Sequence, residues 1–159
     1  MQLGIYKKWF KTSQTKHKQW SNMYNMSSSP SRNTSQEILR SAFAGKDRPL
    51  VSQGLPFPEA CLKHVSTTFN ASRVYIISSG SLARNTDALE RLQRALEGKV
   101  VGTRVGMKPH TYFGEVLEIV RDAREARADC IVTLGGGSLA DGAKVVALVS
   151  SPFRTCHAC

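Results

Sequence analysis

From Arg73 onward the chain alternates between short, continuous apolar runs and longer segments whose apolar residues recur every three or four positions. "RVYIISS" (73–79) is β-branched and aromatic, ends at Gly80, and predicts a buried strand. "TDALERLQRALEGK" places Leu89, Leu92 and Leu96 on one helical face, with Thr86 near the cap and Gly98 as the stop signal. "KVVGTRVG" predicts a second strand, weakened by Gly102. "TYFGEVLEIVRDAREARAD" is the clearest helix. Phe113, Val116, Leu117, Val120 and Ala123 should face inward, with Glu118/Arg121 and Arg121/Glu125 spaced as pairs on a solvated face. "CIVTL" predicts a third strand, and the last helix should open at Ser138.

Upstream, "PLVSQG" predicts a short strand. "FPEACLKHVSTTF" predicts a helix with Pro58 in its first turn and Leu62, Val65 and Phe69 on one face. The order is then β-α-β-α-β-α. Strands that are apolar on both faces and alternate with helices imply an α/β fold: a Rossmann-like parallel sheet flanked by helices. No internal repeat appears beyond this alternation.

In such a sheet ligands bind at the carboxyl ends of the strands. There, "TLGGGSLADGAK" carries Gly135, Gly136 and Gly137 between strand and helix. Glycine permits positive φ and lets backbone approach a ligand with no Cβ in the way. The first helical amides point outward and the helix dipole favours an anion. Ser138 can cap that end or donate to a phosphate oxygen. These features describe a diphosphate cradle, and the bland alternative is a tight strand–helix turn. Gly135-x-Gly137-x-x-Ala140 matches the dinucleotide fingerprint, but the acidic residue expected ~20 positions on falls past the last residue. A P-loop is excluded, because Gly142-Ala143-Lys144 puts an alanine between the glycine and the lysine.

Charge changes the picture mainly for the N-terminus. The 159 residues carry a net charge of +10. Residues 1–36 hold six of the basic side chains and no acid, which leaves +4 for the remaining 123. This Lys-, Ser- and Asn-rich stretch reads as a disordered basic arm, residues 37–150 as the α/β domain, and residues 151–159 as an atypical tail. The arm's Trp9, Phe10 and Trp20 would allow weak, salt-sensitive nucleic-acid binding, but a solvated tail explains them as well, so no nucleic-acid partner is expected. No apolar run reaches the ~18 residues a membrane span needs, and no secretory signal is apparent. Cytoplasmic localisation is expected, with a mitochondrial presequence as the alternative for the acid-free arm. The four cysteines suit a reducing compartment, with Cys61 and Cys130 as core thiols.

"TLGGGSLADGAKVVAL" resembles the GGGSxxDxxK segment of the iron-containing alcohol dehydrogenase family. The likeness continues through "RVYIISSGSLAR", "VGMKPHTYFGEVLEIV" and "ADCIVTLGGGS", and covers roughly Pro49 to Val149. The resemblance implies an oxidoreductase that uses NAD or NADP to interconvert an alcohol with an aldehyde or ketone. Gly135, Gly136, Gly137 and Ser138 would contact the pyrophosphate. Asp141 would be the family's aspartate at the cleft, and Lys144 the motif lysine in a structural or electrostatic role. Family members that prefer NAD often carry Asp after the first strand. Here Ser79 stands in that place, followed by Gly80 and Ser81, which makes NADP admissible. A homo-oligomer is compatible with the family.

The family's divalent metal, Fe or Zn, is held by a C-terminal all-helical domain that the sequence does not reach. His17, His64, His110 and His157 match none of its positions, and no residue is assigned a catalytic role. Cys156 and Cys159 have C-x-x-C spacing without a second ligand pair. The expectation is a chain representing the cofactor-binding half of an oxidoreductase. The alternative is a catalytically inert, truncated NAD(P)-binding module.

Overall fold

The structure is a computed structural model and describes residues 3–6, 36–46, 49–108 and 112–150. They fall into two compact units. One contains a two-stranded antiparallel hairpin, β2 (Ile38–Ser41) with β3 (Leu50–Gln53). In it Ser52 Oγ donates to Glu37 Oε1 at 2.5 Å. The other unit holds the α/β fold, whose continuous run begins at Phe57. The hairpin falls within the range 37–150 anticipated for the α/β domain, yet it belongs to the compact unit that does not hold the α/β fold.

The α/β unit is built from β1 (Leu3–Tyr6), α1 (Phe57–Ser66), β4 (Val74–Ser78), α2 (Gly80–Asn85), α3 (Ala88–Ala95), β5 (Val100–Val105), α4 (Phe113–Glu125), β6 (Cys130–Leu134) and α5 (Gly137–Ser150). The sheet order is β1-β6-β4-β5, with β6, β4 and β5 parallel and β1 antiparallel at the edge. The strand Leu3–Tyr6 lies in the stretch whose composition predicts a disordered arm. An edge strand needs only a short extended segment, and here it covers the backbone donors and acceptors that β6 would otherwise leave open. Apart from Gln36, the rest of that arm lies outside the described residues, as do the tail 151–159 and His110.

All five residues of β4 and all five of β6 are buried, because helices cover both faces of the sheet. Side chains alternate between faces along a strand. Val74 and Ile76 meet Cys61 and Val65 of α1, Ala88 and Leu92 of α3, and Leu96 on one side. Tyr75 and Ile77 meet Val116, Ile119, Val120 and Ala123 of α4 and Leu139, Ala143 and Val146 of α5 on the other. Each fully buried Ile or Leu contributes roughly 1.5–3 kcal/mol of transfer free energy.

Several local expectations change. In α4 the buried stripe is Val116, Ile119, Val120 and Ala123, while Phe113 is 66% exposed. The stripe is rotated toward Ile119, which packs in one cluster with Leu139, Ala143 and Val146 of α5, and Phe113 at the helix start lies ahead of it. Glu118 meets Arg104 of β5 (3.5 Å) rather than Arg121. In α1, Leu62 is exposed and Val65 fully buried, whereas Phe69 lies past the helix end and still packs on the core. The segment after β4 contains an unpredicted short helix, α2, capped by Ser79. Thr86 follows it, accepting from Ala88 N–H at the start of α3. Gly98 ends that region with φ +80°, as its stop role requires. β5 runs on through Gly102, but its register against β4 shifts there, from Val74 opposite Val100 to Tyr75 opposite Gly102. A Cβ there would lie 2.7 Å from the ring of Tyr75, so the glycine makes room for the neighbouring aromatic.

The amino ends of the strands are tied by one carboxylate. Asp129 accepts from Ser72 N–H (3.0 Å), Ser72 Oγ (3.2 Å) and Arg73 N–H (3.0 Å). The Arg73 guanidinium in turn donates to the carbonyls of Ala126 (2.8 Å) and Arg127 (3.0 Å) past the end of α4. Those carbonyls are among the acceptors a helix end leaves unpaired.

Candidate functional site

The parallel strands follow one another from β4 out to β5 and then back across to β6, on the other side of β4. The connections therefore diverge between the carboxyl ends of β4 and β6. That divergence is the topological switch point at which open α/β sheets form their ligand crevice. Ser78 lies in register with Leu134, and the ladder runs one step further, Ser79 N–H donating to Leu134 O at 2.9 Å. On the opposite side Gly106 N–H donates to Ser78 O at 2.7 Å. Three turns thus leave the sheet side by side: Ser79–Gly80, Gly106–Met107 and Gly135–Gly137.

The three adjacent glycines differ in what the fold asks of them. None has a positive φ, so the conformational reason anticipated from the sequence does not apply. Gly135 is required by close packing, because a Cβ there would sit 2.8 Å from Leu139 Cδ2 and 3.1 Å from Ser79 Cβ. At Gly136 and Gly137 a Cβ would meet no other atom within 4 Å. Neither backbone strain nor internal packing explains those two glycines.

Helix α5 opens on them. Ala140 N–H donates to Gly136 O at 3.1 Å, which makes Gly136 the cap residue. Glycine offers no side-chain acceptor there, and the amides of Gly137, Ser138 and Leu139 precede the first carbonyl the helix can give them. Ser138 stands inside the first turn and does not occupy the cap anticipated for it. Gly136, Gly137 and Ser138 are exposed, while Leu139 is buried and anchors the turn to the sheet. The result is a rigidly based, outward-facing row of donors at the positive end of a fourteen-residue helix.

Asp141 lies one turn further on and pairs with Lys144 (Oδ1 to Nζ, 2.7 Å). With its carboxylate side chain 61% exposed, the pair is worth less than about 1 kcal/mol and acts mainly to orient the carboxylate. Ser79 caps α2, its Oγ accepting from Leu82 N–H at 3.3 Å and lying 3.4 Å from Ser81 Oγ. The structure therefore brings Ser79 against Gly135, more than fifty positions away along the chain, and sets Asp141 on the helix that Gly136–Ser138 begin. Arg84, which the sequence reading left unassigned, lies over Gly80, with Nη1 2.9 Å from where a Cβ would stand. Its signal was available, since it is the single basic residue between Arg73 and Arg91.

No group of three His, Cys, Asp or Glu able to hold a metal ion occurs among the described residues, so they do not form the site that an Fe or Zn ion would need. His64 is buried on α1, with Nδ1 2.8 Å from Thr68 Oγ1, remote in role from the glycine turn. His17, His157, Cys156 and Cys159 lie outside the described residues. No described helix is long and apolar enough to cross a membrane. Cys61 is fully buried, and burial first, then the neighbouring Cys130, pushes its thiol up to about 12. Burial, reinforced by Asp122, also raises the Tyr75 hydroxyl.

Residues 55–156 match the family model described as iron-containing alcohol dehydrogenase. The chain belongs to that family. Among curated relatives, the dehydrogenase FUM7 of Gibberella moniliformis is 42% identical over 105 residues, 65% of this chain and 24% of that protein. The dehydrogenase ALT3 of Alternaria alternata is 38% identical over 81 residues, 50% of this chain and 21% of that protein. The NADPH-dependent aldehyde reductase YqhD of Escherichia coli is 29% identical over 80 residues, again 50% and 21%. The alignments thus span less than a quarter of the length of these relatives. No solved structure matches the chain. Within the iron-containing alcohol dehydrogenase family, the matched range takes in α1 through α5 and with them all three turns of the crevice.

Proposed function

We propose that the α/β unit binds NAD or NADP at the carboxyl ends of β4 and β6, as the cofactor-binding part of an oxidoreductase that interconverts a small alcohol with its aldehyde or ketone. The observation that carries this reading is the pair Gly136–Gly137. Both are exposed, neither is demanded by φ or by packing, and both stand at the uncapped start of α5. A diphosphate approaching that turn would take N–H donors from Gly137, Ser138 and Leu139, and its charge would be favoured by the helix dipole. Gly135 keeps Ser79 close enough to reach the adjoining ribose, and Asp141, held by Lys144, presents a carboxylate one turn away. The nicotinamide ring, once bound, supplies the hydride acceptor or donor. The family's metal chemistry is assigned to none of the described residues.

The relatives' names support an oxidoreductase class, and YqhD's name describes an NADPH-dependent enzyme acting on aldehydes. The test is a fluorescence titration of the 159-residue chain with NADPH and NADH, repeated with Gly136→Asp. Binding that disappears in the variant, with its far-UV circular dichroism and melting temperature retained, is the expected result. Retained affinity in Gly136→Asp, or no binding by the parent chain, sinks the reading.

A further inference from the structure

We propose that Glu115 of α4, braced by Arg104, positions the turn after β5 as a wall of the crevice, on the far side of β4 from the glycine turn. The inference rests on the dinucleotide reading above and deepens it by assigning a positioning residue that touches no ligand itself.

The three turns at the carboxyl end of the sheet are held in different ways. The glycine turn is anchored by buried Leu139, and the Ser79 turn by its own cap on Leu82 N–H. The third turn leaves β5 at Gly106, whose N–H donates to Ser78 O and whose φ of +84° ends the extended run. A Cβ there would meet nothing within 4 Å, so Gly106 itself is not gripped by packing. Met107 rests partly buried against the cluster of α4 and α5. The next amide is then fixed by a side chain, Lys108 N–H donating to Glu115 Oε2 at 2.9 Å.

Glu115 is constrained in its turn. It stands in the first turn of α4 with a side chain only 11% exposed, and its Oε1 lies 3.3 Å from Arg104 Nη2. Arg104 belongs to β5, opposite Ile77, two residues before Gly106. The same Nη2 meets the more exposed Glu118 Oε2 at 3.5 Å. A carboxylate with one oxygen on a guanidinium and the other on a backbone amide has its direction set at both ends. One side chain thereby joins β5, the turn and the start of α4.

Location says what this joint serves. β5 and β6 flank β4 on opposite sides, so the third turn stands two strand spacings, roughly 10 Å, from the glycine turn. That is within reach of a nucleotide whose diphosphate sits on Gly136–Ser138. The sheet itself does not depend on the joint, because β5 is paired with β4 from Val100 to Val105 and tied once more at Gly106. Without Glu115 the strand stays and the wall is left unset. Setting it in advance removes an ordering cost from binding.

Two conservative variants separate positioning from a plain ion pair. Glu115→Asp keeps the charge but is one methylene shorter; the flexible Arg104 can follow it and the Lys108 amide cannot. Glu115→Gln loses the charge but still reaches, its amide oxygen accepting from Lys108 N–H. An ion pair that only stabilises the fold favours Asp over Gln, whereas positioning favours Gln over Asp. The full 159-residue chain is titrated with NADPH and NADH, and exchange of the Lys108 amide is followed by NMR. Glu115→Asp should weaken both cofactors alike, roughly 10-fold, with faster Lys108 exchange, while Glu115→Gln stays within about threefold and Glu118→Ala within about twofold. Parent-like affinity or parent-like Lys108 exchange in Glu115→Asp overturns the assignment. So does weaker binding by Glu115→Gln than by Glu115→Asp, or a Glu118→Ala loss as large as that of Glu115→Asp. Those results leave the dinucleotide reading standing as long as Gly136→Asp abolishes binding of both cofactors. Absence of any binding by the parent removes both proposals together.

Discussion

The two ends of the same parallel sheet handle their polar groups in opposite ways. At the amino end, Asp129 gathers two amides and a hydroxyl, and Arg73 closes over the carbonyls past α4, so the chain satisfies itself. At the carboxyl end, α5 begins on a residue with no side chain, its first amides face outward, and two of three glycines have no packing reason to be glycine. A fold optimised only for stability would cap that helix with Ser, Asp or Asn, gaining a few tenths of a kcal/mol over glycine. Under the proposed reading, the bare helix start at the switch point is a surface kept for a ligand. One end of the sheet is closed by its own side chains, and the other is left open.

The contrast is broken most directly by Gly136→Asp. A carboxylate at this cap supplies the missing acceptor, so chemical denaturation should show stability unchanged or raised by a few tenths of a kcal/mol. The same charge should lower nucleotide affinity by about 100-fold or more, equivalent to about 2.7 kcal/mol, in a binding titration. Asp129→Ala is the mirror experiment. It should cost about 2 kcal/mol in urea denaturation, less than the sum of its three bonds because Ser72 and Arg73 are exposed, while the folded protein binds nucleotide within twofold of the parent.

Gly135→Val tests the place where the two roles meet. Its new side chain would press on Leu139 and Ser79, costing about 1–2 kcal/mol of stability and, by displacing the turn, some tenfold in affinity. Equal loss in Gly135→Val and Gly136→Asp by both measurements would remove the distinction drawn between these glycines.

The smallest effect concerns the buried thiol under the amino end. Because the folded Cys61 titrates near 12 against an ordinary 9.0, the unfolded chain ionises first, and stability should fall as pH rises from about 9 toward about 12. Below pH 9 this contribution is fully present. Denaturation midpoints at pH 8 and pH 10 should therefore differ less for Cys61→Ala than for the parent, and native Cys61 should resist thiol reagents at pH 8.

Much of this architecture was legible in residue pattern. The run from Cys130 to Leu134 is a strand at the bounds its composition suggests, and β4, α3, β5, α4 and α5 stand where their periods put them. Pattern identified the glycine turn but gave a wrong reason for it. Positive φ was one local explanation, whereas the actual constraint on Gly135 comes from Leu139 and from Ser79 on a neighbouring strand. The same limit explains the rotated face of α4 and the role of Gly102, each decided by what packs opposite. Strand β1 was missed because four residues of extended chain inside a basic, serine-rich stretch carry no period, and only pairing with β6 makes them a strand.

That pairing has a consequence for how the protein is made. Leu3 is joined to Leu134, so this strand has to wait for a segment some 131 positions further along (134 minus 3) before its partner exists. At ordinary elongation rates of roughly 5–20 residues per second, the delay is on the order of ten seconds. During it, α1, β4 and β5 can assemble while the N-terminal segment remains without its strand. The strand that ends at the glycine turn is thus the one whose arrival completes the sheet, on both of its edges at once.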